Sequence, residues 1–256
     1  MSGSLPSISI ITVVRNGAKT LRDCLSSVSC QTVRPEHIVI DGGSTDGTLR
    51  IIEKYRNSIA RVISEPDRGV YDAMNKGIRM ASTDVVGILN CDDIYSHPYV
   101  LERVTPTFAD RRVACCYADL NYVDHFHTNR IVRAWRSGSY DRRNFYWGWM
   151  PPHPTFFVRR EVYERLGGFN LDLGSAADYE LMLRFLLKHE LTAAYIPEVI
   201  VNMRCGGISN AALKNRLRAN RMDRRAWEVN GLKPYPWTLL MKPMRKIGQY
   251  VNARKG

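Results

Sequence analysis

Two adjacent carboxylates, Asp92 and Asp93, follow the apolar run over residues 85–90. A short run rich in Ile, Leu and Val predicts a buried strand of a parallel sheet. Open α/β sheets bind their ligands at the carboxyl ends of such strands. Two unpaired carboxylates repel each other, whereas Mg²⁺ or Mn²⁺ takes one or two carboxylates together with substrate phosphate oxygens. The pair therefore predicts a divalent-cation site, with an acidic helix N-cap as the alternative.

Polar residues also lie at the ends of two earlier predicted strands and in the loop after a third. Thr12 and Asn16 end the first strand, where they either contact a nucleotide or, in the Asn-Gly pair, make a turn. Asp41 ends the second strand beside two glycines, and its carboxylate is suited to accept a hydrogen bond from a base or a ribose. In SEPDRGVYDAMNKGI, Arg68 and Lys76 are natural diphosphate contacts.

The elements that must position these residues alternate between strand and helix. Such alternation predicts βαβ units and a mainly parallel sheet, which is an α/β fold. In the first half we predict strands at 8–14, 37–41, 61–64 and 85–90, and helices at 18–29, 46–56 and 70–81. After residue 97 the pattern predicts helices near 98–109 and 160–166, an amphipathic helix at 177–189, strands near 113–118 and 131–135, and a strand at 199–203 after a break at Pro197.

Composition limits the class of protein. A chain of 256 residues forms one large domain, with or without an appendage. It has no apolar run of the roughly 18–20 residues that a transmembrane helix needs, and its start lacks the basic region of a signal peptide. The six cysteines show no CxxC spacing, which favours reduced thiols in a cytoplasmic protein over a zinc site.

The net charge of +12 is concentrated at the C-terminal end. Residues 211–256 carry twelve Lys or Arg against Asp223 and Glu228, so this segment accounts for +10. A basic segment on a near-neutral domain indicates a polyanionic partner: acidic lipid headgroups, nucleic acid or a phosphorylated ligand. A solvated basic helix is the alternative.

Several familiar signatures are missing from the chain. It has no GxGxxG opening the first helix, no GxxxxGK[ST] and no GxSxG. These absences disfavour a nicotinamide or flavin Rossmann enzyme, a P-loop enzyme and an α/β-hydrolase.

The motifs ISIITVVRN, IVIDGGSTDGT, SEPDRGVYDAMNKGI and GILNCDD, in this order, resemble the family 2 glycosyltransferases of the GT-A fold. The similarity is greatest to bacterial members that build surface polysaccharides. HPTFFVRREVYERLGGFN, AADYELMLR and GGIS extend it to about residues 7–209. The resemblance implies a GT-A catalytic domain at 1–210, with a nucleotide-sugar-binding half at 7–97 and an acceptor half at 98–210. Charge and apolar pattern, not the resemblance, predict a basic, amphipathic helical tail at 211–256.

The resemblance also implies roles for particular residues. Thr12, Val13 and Asp41 match positions that hold the nucleotide base, and Arg68 falls in the base-and-phosphate loop. Asn90, Cys91 and Asp92 match the Asp-x-Asp metal motif, which places the cation on Asp92, alone or shared with Asp93. Asp178 matches the catalytic base of the inverting mechanism, although the first turn of a helix also favours an Asp there.

The implied activity is an inverting, Mn²⁺- or Mg²⁺-dependent transfer of a hexosyl or N-acetylhexosaminyl group. The donor would be a nucleotide-diphosphate sugar, with uridine as the family's commonest base. The acceptor would be a hydroxyl of a glycan or of a polyprenyl-diphosphate-linked sugar in cell-surface polysaccharide biosynthesis.

The acceptor side rests on weaker patterns. Trp147, Trp149, His153 and Phe156 form either a platform for a sugar ring or a local core lid. His153 contacts the diphosphate or the acceptor, or is a structural histidine. Gly206, Gly207 and Ser209, in the motif GGIS, are candidates for a loop that closes over the donor.

The end of the basic segment is amphipathic. This pattern predicts an interfacial segment that holds the enzyme at the inner face of the plasma membrane, or else one that packs on the catalytic domain or in a dimer. Its apolar residues are Trp237, Leu239, Leu240, Met241, Met244 and Ile247, interleaved with Lys242, Arg245 and Lys246.

Two other functions remain open at this point. A sugar nucleotidyltransferase should carry a Gly-rich basic loop after its first strand, and VVRNGAKT supplies none. A non-catalytic membrane- or nucleic-acid-binding protein on a degenerate GT-A fold fits the basic segment. No RNP, helix-turn-helix or zinc-finger pattern supports nucleic acid as a partner.

Overall fold

The computed structural model describes residues 5–206 and 213–252, and within them nine strands form one mixed sheet. The strands are β1 (Ile8–Val14), β2 (Glu36–Asp41), β3 (Arg61–Ser64), β4 (Val85–Ile88), β5 (Asp93–Tyr95), β6 (Cys115–Val123), β7 (Ile131–Trp135), β8 (Phe157–Arg159) and β9 (Ala193–Arg204). The α-helices are α1 (Leu21–Ser29), α2 (Thr48–Lys54), α3 (Val70–Met80), α4 (Val100–Val104), α5 (Arg160–Leu166), α6 (Ala177–Met182), α7 (Leu213–Val229) and α8 (Thr238–Asn252).

The sheet runs in the order β3-β2-β1-β4-β8-β6-β9-β5, with β7 paired to β6. Strands β3, β2, β1 and β4 are parallel, as the sequence predicts. Strand β8 is antiparallel to both β4 and β6, and β9 is parallel to β6. The carboxyl ends of β1, β2 and β4 therefore lie at one edge, where the polar residues of the first half converge.

The core explains why the first half folds in this way. Every residue of β1 is buried, as expected for a strand covered on both faces. Helix α3 turns Ala73, Met74 and Ile78 inward, and Gly77 brings its backbone against β1. A Cβ at Gly77 would lie 2.4 Å from Cγ2 of Ile11, so no larger residue fits at this approach.

Three elements of the second half differ from the prediction. The helix expected at 98–109 ends as α4, and Pro106 begins a 3-10 turn over Thr105–Ala109. The helix expected at 177–189 is α6 followed by a π-helical turn, Leu183–Lys188. The side chains of four apolar residues in this turn are buried. The break expected at Pro197 is wrong: β9 passes through it, because the pairing with β6 shifts register there and needs no donor from a proline.

The described part of the basic segment packs on the acceptor half. Trp227 of α7 is completely buried, and its Nε1 donates to the Tyr179 hydroxyl at 3.0 Å. Lys242 of α8 lies 3.7 Å from the centre of the Tyr179 ring and pairs with Asp223 at 2.8 Å. Packing on the catalytic domain was one of the alternatives that the sequence left open.

Helix α8 also contacts the aromatic loop. Thr238 donates to the carbonyl of Tyr146 at 2.7 Å. Gly148 has a φ of 72°, and a Cβ there would lie 2.4 Å from the Lys242 nitrogen. Only glycine permits this approach of loop and helix. Among the described helices, none is long and apolar enough to span a membrane.

Candidate active site

The end of β1 is held by buried contacts. Thr12 is inaccessible to solvent, and its hydroxyl lies 3.0 Å from Nε2 of His37. Val13 is buried as well. Burial lowers the pKa of His37 to about 3, so the ring is neutral at pH 7. The Thr12 side chain is therefore engaged within the core, and the contact of residues 12 and 13 with a nucleotide stays a prediction.

Asp41 and Asn16 shape the loop beside that strand end. The Asp41 carboxylate is fully buried and accepts from the Ser44 amide at 3.0 Å, the Ser44 hydroxyl at 2.5 Å and the Ser64 hydroxyl at 2.6 Å. Asn16 takes a left-handed φ of 53°, and its Oδ1 accepts from the Thr45 amide at 2.9 Å. Both side chains hold the 42–46 loop, and the base contact predicted for Asp41 stays a prediction. Asn16 makes the turn that was its alternative.

The two predicted diphosphate contacts around the loop before α3 differ in how accessible they are. Lys76 pairs with Glu65 at 2.7 Å and donates to the carbonyl of Pro66 at 3.1 Å, so its ammonium fixes the loop. The diphosphate contact of Lys76 stays a prediction, and it would compete with the bonds to Glu65 and Pro66. Arg68 pairs with Asp72 at 3.1 Å, but its side chain is 77% exposed. Arg68 is therefore the cation of this loop that a ligand can reach.

The acidic turn after β4 presents one accessible carboxylate, that of Asp92. Asp93 begins β5 and is completely buried, and its Oδ2 accepts from Nδ2 of Asn90 at 3.3 Å. Burial, and next the charge of Asp92, raises the pKa of Asp93 well above its usual range. Asp92 is therefore the more accessible candidate ligand in this arrangement, and the shared contact with the buried Asp93 stays a prediction.

The turn suits a hard cation held mostly by phosphate. Buried Oδ1 atoms of Asn90 and Asp93 lack a hydrogen-bond partner, which leaves oxygen lone pairs unused beside Asp92. Among the described residues, no group of three or more His, Cys, Asp or Glu side chains is arranged to bind a metal by itself. Mg²⁺ sites with one carboxylate and several phosphate oxygens need no such group. The residues present therefore fit a cation that arrives with a diphosphate.

Arg204, at the end of β9, ties the acidic turn to the rest of the domain. Its buried guanidinium donates to the main-chain carbonyl of Asp92 at 3.1 Å, to the Asp23 carboxylate of α1 at 2.5 Å and to the carbonyl of His125 at 3.1 Å. The sequence analysis missed this residue. The available signal was an arginine at the end of an otherwise apolar strand, a position where a charge is buried only when it is paired.

Asp178 and His153 meet opposite the acidic turn. Asp178 is the second residue of α6, and its carboxylate is 18% exposed. Nδ1 of His153 lies 3.7 Å from Oδ2 of Asp178, and Nε2 of His153 lies 3.3 Å from Nδ2 of Asn90. Burial lowers the pKa of His153, while the charges of Asp178 and Asp92 act in the opposite direction. One imidazole thus joins the predicted metal motif to the predicted base.

The surroundings of Asp178 are apolar. The Tyr71 hydroxyl lies beside it, and burial together with the Asp178 charge raises the pKa of Tyr71. Oδ1 of Asp178 accepts from the Tyr179 amide at 2.8 Å. A small pocket opens onto His153 and Asp178, and its apolar walls are Ile88, Phe156, Tyr163, Phe169, Leu181 and Met182.

The predicted aromatic platform does not form as a unit. Trp149 is buried, donates through Nε1 to the carbonyl of Ser137 at 2.8 Å and packs edge-on against Tyr117, so it belongs to the core. Phe156 is buried too. Trp147 is exposed and lies 5.9 Å from the Trp237 ring. Of the four predicted residues, His153 and Phe156 line the pocket at Asp178. Gly207 and Ser209 of the predicted loop, and the Lys246 and Ile247 side chains, lie outside the described residues.

Residues 9–167 match the family model described as Glycosyl transferase family 2. An uncharacterized glycosyltransferase of Mycobacterium tuberculosis is 34% identical over 190 residues, which cover 72% of this chain and 70% of that protein. A PGL/p-HBAD biosynthesis glycosyltransferase of Mycobacterium bovis is 30% identical over 210 residues, which cover 80% of each chain.

The fold is shared with solved structures of low sequence identity. A mannosyltransferase from Pyrobaculum calidifontis, solved in complex with GDP-Man and Mn²⁺, superposes with a TM-score of 0.65 at 19% identity, over 98% of this chain and 74% of that one. S. aureus TarS 1–349 in complex with UDP-GlcNAc superposes with a TM-score of 0.60 at 17% identity, over 96% and 79%. These likenesses confirm the predicted fold class.

Proposed function

The chain belongs to glycosyl transferase family 2 and has the GT-A fold, and from this premise we propose that it is an inverting, metal-dependent glycosyltransferase. The observation that carries the proposal is the position of His153, which contacts Asn90 of the acidic turn and lies against Asp178. A donor diphosphate at Asp92 and an acceptor at Asp178 would thus meet in one site. This convergence argues against a degenerate, non-catalytic fold, and the family match argues against a sugar nucleotidyltransferase.

Asp178 is the proposed general base. Its carboxylate is within reach of solvent, and it lies beside the apolar pocket rather than in an ion pair with Arg or Lys. It would take the proton of the acceptor hydroxyl as that oxygen attacks the anomeric carbon. A single displacement of this kind, from the face opposite the leaving diphosphate, inverts the anomeric configuration.

The remaining groups hold the donor and the base. Asp92 would hold Mn²⁺ or Mg²⁺, which neutralises the charge that grows on the leaving diphosphate. Arg68, exposed on its loop, would contact the diphosphate. His153 orients the Asp178 carboxylate from one side, and the Tyr71 hydroxyl lies on another. The buried Asp41, held by Ser44 and Ser64, would line the pocket for the base.

The relatives support a proposal for the donor and acceptor classes. The proposed donor is a UDP-sugar carrying a hexosyl or N-acetylhexosaminyl group, and the TarS complex with UDP-GlcNAc supports it. A GDP-sugar is the alternative donor, supported by the mannosyltransferase complex with GDP-Man. The proposed acceptor is a hydroxyl of a glycan or of a lipid-linked sugar in cell-surface biosynthesis. The mycobacterial PGL/p-HBAD biosynthesis relative supports it. We place the enzyme peripherally at the cytoplasmic face of the plasma membrane, supported by the charge of residues 211–256.

Calorimetric titration tests the donor site. The protein is titrated with UDP and with GDP, each in Mn²⁺ and in EDTA, and the Asp92→Ala variant is compared with Asp110→Ala. Asp110 is an exposed acid whose carboxylate pairs with Arg112, so its loss leaves the site intact. We expect one nucleotide to bind with metal, and Asp92→Ala to weaken that binding by about tenfold or more. An affinity that is the same in Mn²⁺ and EDTA, or in both variants, would refute the proposal.

A further inference from the structure

An apolar patch lies exposed where the aromatic loop meets α8. Five large side chains form it, and each is between 42% and 64% exposed. They are Trp147, Tyr235, Trp237, Leu240 and Met244, and we call them the aromatic patch. Isolated exposed apolar residues are ordinary on a protein surface, but contiguous ones indicate an interaction site.

The patch is contiguous and held in place from behind. The ring centroid of Trp237 lies 5.9 Å from that of Trp147 and 5.0 Å from that of Tyr235. Leu240 and Met244 are four residues apart and share one side of α8. The neighbouring Thr238 and Leu239 are buried against the domain. Among the side chains that the structure describes, helix α8 therefore packs through Thr238 and Leu239 and leaves Leu240 and Met244 exposed.

The charge of the segment that carries most of the patch indicates which kind of partner covers the patch. Residues 211–256 carry a net charge of +10, and Lys233 and Arg245 are exposed close to the patch in sequence. Trp and Tyr rings beside Lys and Arg suit the headgroup level of a bilayer, where the ring enters the acyl boundary and the cations meet anionic lipids. We propose that the aromatic patch is the surface through which this protein docks on an anionic membrane. The proposal rests on the glycosyltransferase function above only for the purpose of docking, since a lipid-linked acceptor would be found at the membrane.

A second copy of the chain fits this surface less well. Two copies would each bring a net charge of +12 and would repel each other. Five side chains also fall short of the roughly 20–30 residues a side of a stable interface, whose core is depleted of charge. A lipid surface needs no such area, because electrostatic attraction adds to the inserted apolar side chains.

Docking here would bring the membrane close to the reacting groups. Trp147 lies six residues before His153 in the same loop, and Lys242, between Leu240 and Met244, contacts the ring of Tyr179 next to Asp178. The patch and the proposed base therefore share one packed unit.

Vesicle flotation of the full-length protein tests the proposal. Phosphatidylcholine vesicles with and without phosphatidylglycerol are compared for wild type and for Trp147→Ser/Trp237→Ser. The control is Phe126→Ser, which removes an exposed aromatic from the turn between β6 and β7. We expect wild type to float with anionic vesicles only. The double variant should bind these vesicles at least about tenfold more weakly, and the control should bind them like wild type.

A second measurement guards against misfolding of the double variant. Brominated lipids should quench wild-type tryptophan fluorescence, and conservative Trp147→Phe/Trp237→Phe should remove most of that quenching, because Trp149 and Trp227 are buried and Trp135 is half-buried against Tyr122. Undiminished flotation of the double variant, no binding of wild type, or a wild-type dimer that the double variant converts to monomer would each overturn the proposal. UDP titration of the same proteins separates this outcome from failure of the donor site.

Discussion

Replacing Trp227 with Ala tests whether the basic segment is part of the catalytic fold. The indole is completely buried between α7 and the acceptor half, and its Nε1 donates to the Tyr179 hydroxyl at 3.0 Å. Removing a buried aromatic costs about 3–5 kcal/mol through lost transfer free energy and the cavity left behind. A domain is typically stable by about 5–15 kcal/mol, so this one change should remove a large part of the free energy of unfolding.

Urea unfolding followed by circular dichroism measures the effect. Trp227→Phe keeps most of the ring but loses the bond to Tyr179, so its cost should be only about 1–2 kcal/mol. Trp237→Ala, an exposed tryptophan of the neighbouring segment, is the control and should cost less than about 1 kcal/mol. If Trp227→Ala and Trp237→Ala unfold at the same urea concentration, α7 does not pack as described and the argument fails.

Three further predictions concern the site and its supports. Asp178→Asn should keep nucleotide affinity but lose about 10²- to 10⁴-fold in turnover, and turnover like that of the exposed control Asp172→Asn would exclude the base. Arg204→Gln loses the bonds to Asp92 and Asp23, so metal-dependent nucleotide binding should weaken about tenfold by calorimetry; equal affinity in the folded variant would contradict its positioning role. The pKa of His37 is about 3 in the fold against an ordinary 6.5, so between these values only the unfolded chain is protonated and stability falls as the pH falls. The loss should reach about 2–3 kcal/mol at pH 4.5, and urea midpoints of His37→Gln should change less with pH than those of wild type.

Local sequence predicted the first half of the fold well. Parallel strands buried on both faces are continuous apolar runs, and glycine-rich polar turns end them, so β1 to β4 and the acidic turn follow from neighbouring residues. The sequence did not distinguish Asp92 from Asp93. One points to the site and the other into the sheet, and that depends on the pairing of β5 with Met203 of distant β9.

Long-range contacts explain most of what the sequence could not give. His153 and Asn90 are 63 residues apart, and no periodicity reports that their side chains meet. The same limit applies to Trp147 and Trp149, two residues apart, of which one is exposed and the other in the core. An amphipathic pattern also cannot say what covers it: the helix around Leu239 and Leu240 turns one residue to the protein and the other to solvent.

The packing of Trp227 against Tyr179 has a consequence for synthesis on the ribosome. The strands and the acidic turn emerge first, but the wall behind the helix that carries Asp178 comes from α7, which is made about 50 residues later. Domains generally fold as they are made, from the N-terminal end. The first half of the sheet can therefore fold on the nascent chain, whereas the helix that carries the proposed base gains its support only after α7 has been made. A product that ends before α7 would keep the acidic turn without a properly seated Asp178.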